Sequence, residues 1–220
     1  TLDLDFDRQV LTLYDPASYK HTGLGTEIPM TLRGNVPTVE MTLDGDCRGT
    51  YIVDVGNASV LSVGAEQVRK CRLLAARHKE VQHWVGGIGG AFVESVCRLD
   101  SLELGPFRFT EPVAGLTTHH QGGAGSTEVQ GNIGTTVLER FHCTFDYARG
   151  VLWLEPGRRY AQREAFTRSG IWFTRWADVV VVVGVVRDSP AEDVGLKVRD
   201  VLRAINGRDI EQWTPEQLDA

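Results

Sequence analysis

Two stretches of this chain, 141 positions apart, repeat one another, and that repeat limits the folds open to it more than any other feature. Asp5-Phe6-Asp7-Arg8-Gln9-Val10-Leu11-Thr12-Leu13 sits over Asp146-Tyr147-Ala148-Arg149-Gly150-Val151-Leu152-Trp153-Leu154, with five of nine aligned positions identical. An acidic residue and a proline follow each copy, with one extra residue in the first. Each copy reads as a polar turn between aromatic and aliphatic strands. Two readings fit: two similar hairpins, or an N-terminal stretch, residues 1–27, that is the tail of an earlier copy of the same domain or a set of interface strands.

Strand signals dominate the region up to residue 160. Pro37 to Leu43 alternates, Asp44-Gly45-Asp46 supplies a turn, and Thr50 to Val53 is a β-branched and aromatic run ending at Asp54. Helix signals are few. Val63 to His78 has mixed periodicity, and Thr135 to Phe141 is short, with Thr135 or Thr136 placed to cap its start. After Tyr160 a charged stretch, 161–168, suits a linker. A second unit then runs through the apolar strand Val179 to Val186, Asp188-Ser189-Pro190-Ala191 opening a short helix-like segment to Leu196, a strand from Val201 to Ile205 and the turn Asn206-Gly207. Trp213-Thr214-Pro215 reads as a helix start, with Thr214 as cap and Pro215 at the first helical position.

With 220 residues the chain has room for one large or two small domains. Its net charge of -6 is spread along the sequence, which argues against a nucleic-acid or anionic-membrane surface and leaves proteins or peptides as partners. No apolar run approaches the roughly 20 residues that span a bilayer. Nor does the sequence open on a charged and apolar leader, so any signal peptide is expected to have been removed or to lie outside it. Cys47, Cys71, Cys97 and Cys143 form no C-x-x-C pair, against a zinc ribbon or a thioredoxin-like centre; buried thiols and a disulfide both remain open.

Three segments carry the chemistry, in order. Tyr51-Ile52-Val53-Asp54-Val55-Gly56-Asn57 is an apolar strand that delivers an aspartate into a glycine-containing turn, where its carboxylate must be partly buried. Gly86-Gly87-Ile88-Gly89-Gly90, between strand-like runs, suits a hairpin tip able to fold over an extended ligand. Asn132-Ile133-Gly134 then leads a glycine-bracketed strand into a short helix.

That ordered trio resembles the retropepsin-like aspartic proteases over about residues 28–160. The resemblance implies a mostly β fold, a retropepsin- or pepsin-like closed β-barrel lobe with one or two short helices. It makes Asp54 the catalytic aspartate, Val55, Gly56 and Asn57 its active-site turn, Gly86 to Gly90 the flap, and Asn132, Ile133 and Gly134 the segment that closes the lobe. Two aspartates within hydrogen-bonding reach share a proton, so one activates water while the other polarises the scissile carbonyl. Asp54 therefore requires a second lobe or a homodimer mate. Val55 stands where the family carries a threonine whose hydroxyl bonds across the lobe interface, and Asn57 replaces a small residue. A catalytically inactive lobe that binds peptides or dimerises is the alternative. The family favours a periplasmic or secreted location and uses no cofactor.

Residues 169–220 resemble a partial α+β PDZ domain of the kind attached to bacterial proteases. Ser169-Gly170-Ile171-Trp172 stands where such domains bind a peptide carboxylate through backbone N–H groups. Ser189-Pro190-Ala191, Gly195-Leu196, Asp200-Val201-Leu202 and Ile205-Asn206-Gly207 carry the rest of the pattern, and Arg199 replaces the glycine normally found before the aspartate.

Other chemistries find little support. His119-His120 lacks a third ligand at useful spacing, so no metal site is expected. There is no G-x-S-x-G elbow around Ser126 or elsewhere, and the Gly86 to Gly90 cluster is not a dinucleotide fingerprint.

Overall fold

A computed structural model describes residues 1–75, 77, 79–87, 90–118, 128–164, 166–176 and 179–214. The strands are β1 (Leu2–Asp5), β2 (Val10–Leu13), β3 (Thr26–Arg33), β4 (Val36–Leu43), β5 (Cys47–Val53) and β6 (Leu61–Val63). After helix α1 (Ala65–Lys70) come β7 (Val81–Gly87), β8 (Gly90–Arg98), β9 (Ser101–Leu104), β10 (Phe107–Thr110), β11 (Val113–Thr117) and β12 (Gly131–Ile133). Helix α2 (Thr135–Leu138) precedes β13 (Phe141–Asp146), β14 (Val151–Pro156), β15 (Ile171–Trp176) and β16 (Val179–Val185). Helix α3 (Pro190–Asp193) and the short strands β17 (Val201–Leu202), β18 (Ala204–Ile205) and β19 (Arg208–Asp209) follow, and a 3-10 turn at Ile210–Gln212 comes after them.

Fourteen strands join in one sheet system, ordered β2-β1-β13-β14-β3-β4-β5-β12-β6-β11-β8-β7, with β9 on β4 and β10 on β9. The chain is mostly β with short helices, as expected. Among the described residues, however, the path has two ends, β2 and β7, and is not the closed barrel suggested by the sequence. Closure would need a ladder between these two ends, and among the described residues none pairs β2 with β7.

Alternation along the strands builds the core. In β13 Phe141, Cys143 and Phe145 point inward, and in β14 Leu152 and Leu154 do the same. The Phe141 ring meets Phe107 edge-on with centroids 4.8 Å apart, and Tyr160 closes over both. Cys47 and Cys71 form a disulfide that ties β5 to the end of α1, while Cys97 and Cys143 are buried thiols. Burial pushes the Cys97 thiol up to about 12.

Two helix expectations change. The 63–78 segment yields only Ala65–Lys70, because Val63 belongs to β6 and Arg72 takes a left-handed conformation (φ 54°) that ends helical continuation. At α2 the N-cap is Gly134 and no side chain caps it. The helix expected from Thr214 onward falls on residues 215–220, outside the described residues.

Candidate active site

Strand β5 ends by burying Val53 and hands the next side chain, Asp54, to its end. The Asp54 N–H donates to the Ile133 carbonyl at 3.0 Å, which continues the parallel β5–β12 ladder one residue past the strand. Asp54 is half-buried, and both carboxylate oxygens accept hydrogen bonds: Oδ1 from the Gly56 N–H at 2.8 Å and Oδ2 from Asn132 Nδ2 at 3.3 Å. The acid is thus held in one orientation by donors from its own turn and from β12. Gly56 is not in a left-handed conformation; a Cβ there would stand 3.2 Å from Asp54 Oδ1, so the missing side chain provides clearance rather than backbone freedom.

Strand β12 explains how Asn132 reaches this position. It is three residues long and lies between β5, parallel to it, and β6, antiparallel. Alternation sends Ile133 into the core, fully buried, and Asn132 to the opposite face. A Cβ on Gly134 would lie 2.0 Å from the Ser59 carbonyl oxygen and 2.7 Å from that of Asn57, so the backbone of the Asp54 turn is pressed against this glycine. Asn57 Nδ2 donates to Asn132 Oδ1, and Asn57 Oδ1 accepts the Ser59 N–H at 2.9 Å. The hydroxyls of Thr135 and Thr136 donate to the carbonyls of Val55 (2.8 Å) and Ala58 (2.9 Å), fastening α2 to the same turn. Val55 itself is exposed. Asn132, expected in the segment that closes the lobe, thus also orients the acid, and Thr135 and Thr136, one of them expected to cap α2, both bond the Asp54 turn instead.

The glycine cluster closes a hairpin. β7 and β8 pair from Val81↔Val96 to Gly87↔Gly90, and Gly86 pairs with Ala91; Ile88 and Gly89 lie outside the described residues. The hairpin joins the Asp54 strand through the ladders β8–β11, β11–β6, β6–β12 and β12–β5. Glu94 of β8 is buried opposite Thr117, and its carboxylate fills the space left by Gly115, whose Cβ would stand 2.0 Å from Oε2. Burial raises its pKa above the ordinary value, against lowering hydrogen bonds from Ser62 and Thr117. In the sequence Glu94 carries one signal, an acid inside a strand otherwise rich in apolar residues, and it is not among the candidate residues above. His119, His120 and Ser126 lie outside the described residues.

Beyond β14, Glu164 forms an ion pair with Arg140 in which both side chains are buried, so the charged stretch is packed onto the lobe. β15 and β16 then pair antiparallel, Val180 and Val182 are buried, and Ser189 caps α3 by accepting from the Glu192 N–H, with Pro190 in the first turn. Residues 181–220 match the family model of the PDZ domain. A crystal structure of a retropepsin-like aspartic protease from Rickettsia conorii is also similar to this chain, with a TM-score of 0.42 and 18% identity, covering 62% of this chain and 95% of that one. No curated protein matches the chain.

Ser169 to Trp172 precede the matched segment. The Gly170 N–H donates to Thr167 Oγ1 at 3.1 Å, the Ser169 carbonyl accepts from Ala191 N–H, and the Gly170 carbonyl accepts from Val186 N–H. Ile171 pairs with Val185, and Trp172 packs against the apolar cluster of Val81, Val96 and Val186. Arg199 has φ 81°, the left-handed geometry that suits a glycine at this position. Strand β16 also meets the root of the β7–β8 hairpin: a Cβ on Gly184 would stand 2.5 Å from Val81 Cγ2, and Arg187 pairs with Glu80.

Proposed function

We propose that this chain is one lobe of an aspartic-type endopeptidase. Asp54 is one half of a catalytic dyad, and an aspartate from a second lobe or subunit is the other. The observation that carries this reading is the Asp54 carboxylate, fixed by the Gly56 N–H and the Asn132 amide at the end of a strand. A carboxylate held this way keeps one orientation when a second acid approaches, which a shared proton requires. One carboxylate then takes a proton from water as it attacks the peptide carbonyl, and the protonated partner polarises that carbonyl.

The β7–β8 hairpin is the flap over an extended substrate strand in this reading. The PDZ unit recruits a protein or peptide terminus, with Ser169 to Trp172 as the carboxylate-binding loop. No metal or organic cofactor takes part. The Cys47–Cys71 disulfide fits an oxidising compartment such as the periplasm or the extracellular space.

A second reading has one observation in its favour. Val55 presents an exposed apolar side chain where the family carries a hydroxyl, which suits a lobe that binds peptides or dimerises without cleaving them. Pepstatin-type inhibitors separate the two. A peptidase activity of the complete polypeptide that such a compound blocks, with a pH profile between acid and neutral, supports the dyad; peptide binding without hydrolysis at any pH rejects it.

A further inference from the structure

We infer that the outer edge of β2, with Leu11 and Leu13, is the docking surface for a second lobe of the same fold, encoded upstream of Thr1 in the same polypeptide. The inference rests on the one-lobe reading above and names the partner that completes the site.

The sequence repeat is also a structural repeat. Gln9 and Gly150, matched by the 141-residue offset, both take the left-handed conformation, at φ 57° and 65°. Asp5–Arg8 and Asp146–Arg149, also matched, form the same i,i+3 ion pair across the two hairpin turns, at 3.6 and 2.7 Å. Hairpin β1–β2 is therefore the counterpart of hairpin β13–β14.

The register adds symmetry. β1 and β13 pair antiparallel as Leu2↔Phe145, Asp3↔Thr144 and Leu4↔Cys143. Exchanging each residue for its repeat counterpart turns the first of these pairs into the third and returns Asp3↔Thr144 to itself. A local two-fold axis thus passes through the Asp3–Thr144 pair. Equivalent surfaces meeting about a two-fold are how two like units assemble.

One half of that symmetry lacks its cover. Leu152 and Leu154 are fully buried, at 0% exposure, whereas their counterparts Leu11 and Leu13 are 60% and 74% exposed. The backbone tells the same story. The Met30 N–H donates to the Gly150 carbonyl, so residues 152 and 154 lie at hydrogen-bonded positions facing β3. Thr1 and Tyr14 bond each other through both backbone groups, which by alternation turns the N–H and C=O of Leu11 and Leu13 away from β1 to the open edge. What fits there is a strand in the β3 role, followed by a core that takes two leucines.

A second copy of this chain has no such strand to give, because its β3 is already bonded to β14 on one side and β4 on the other. Pairing β2 with β2 of another copy would extend the sheet without repeating the β14–β3 pairing under which Leu152 and Leu154 are buried. A lobe whose own last hairpin is residues 1–13 supplies both.

Amide hydrogen exchange at Leu11 and Leu13 tests this, comparing residues 1–220 with the polypeptide expressed from its natural start. We expect both amides to exchange slower by at least roughly 100-fold in the longer protein. A double variant, Leu11→Lys with Leu13→Lys, should leave the melting of residues 1–220 unchanged and abolish the protection in the longer protein. Equal exchange in both proteins, protection that survives the double variant, or protection in residues 1–220 that grows with concentration as a dimer forms would each overturn the inference. Exchange does not depend on catalysis: protection in a protein without peptidase activity rejects the protease reading alone, and activity without protection rejects the docking surface alone.

Discussion

Asn132 donates its side-chain amide to the Asp54 carboxylate across 78 residues of sequence, at 3.3 Å. The same Asn132 accepts from Asn57, so a single side chain links the acid to the far end of its own turn. The site is a closed set of bonds, and its consequences are testable.

Replacing Asn132 by alanine removes one donor to Asp54 and the acceptor for Asn57. A hydrogen bond to a charged group contributes about 1.5–3 kcal/mol, so kcat/KM of the complete polypeptide should fall roughly 10- to 100-fold. Melting should drop by only a few degrees, because β12 is anchored by Ile133 rather than Asn132. Unchanged hydrolysis in Asn132→Ala would show that this amide does not hold the reacting acid.

Glu94 makes stability depend on pH. Its folded pKa is raised by burial, so the protonated form is the one the fold prefers, and the associated stability is fully present below the ordinary value of 4.5. That stability is lost as pH rises through the raised folded value. Glu94→Gln should therefore melt with the parent at acid pH and above it at neutral pH, by about 3 °C. Scanning calorimetry at both pH values reads the difference, and parallel melting curves for the two proteins would contradict it.

Cysteine chemistry should be equally selective. Without reductant, native protein should resist alkylation, since Cys97 and Cys143 are buried and burial raises both thiol pKa values. Unfolding should expose two thiols, and unfolding with reductant four. Replacing both Cys47 and Cys71 by alanine should cost about 3 kcal/mol for a cross-link of this span, measured by denaturant titration. Rapid native labelling of two sites would place Cys97 or Cys143 at the surface.

Local features of the site were legible before the fold. The run into Asp54, the turn at Asp44-Gly45-Asp46, the glycine-flanked hairpin and the Ser189-Pro190 helix start all follow from period-two alternation and turn chemistry, which act within a few residues. What could not be read was pairing across distance. Gly131-Asn132-Ile133-Gly134 announces a constrained strand, but not that it lies between β5 and β6 or that its asparagine meets the acid. Thr135 and Thr136 carry a cap signature, yet their hydroxyls bond carbonyls of the Asp54 turn, a partner that local pattern does not reveal. The Cys47–Cys71 bond likewise depends on where β5 and α1 come together. Gly56 likewise shows its role only in the fold, where it supplies space beside the Asp54 carboxylate rather than a left-handed φ.

The most direct test of the account is peptide hydrolysis by the complete polypeptide carrying Asp54→Asn. The substitution keeps the shape of the side chain and removes its ability to accept a proton, a role that contributes about 100- to 10,000-fold to such reactions. We expect hydrolysis to fall by at least that range while the melting temperature stays within a few degrees of the parent. Full activity in the asparagine variant would contradict the assignment of Asp54 as one half of the dyad.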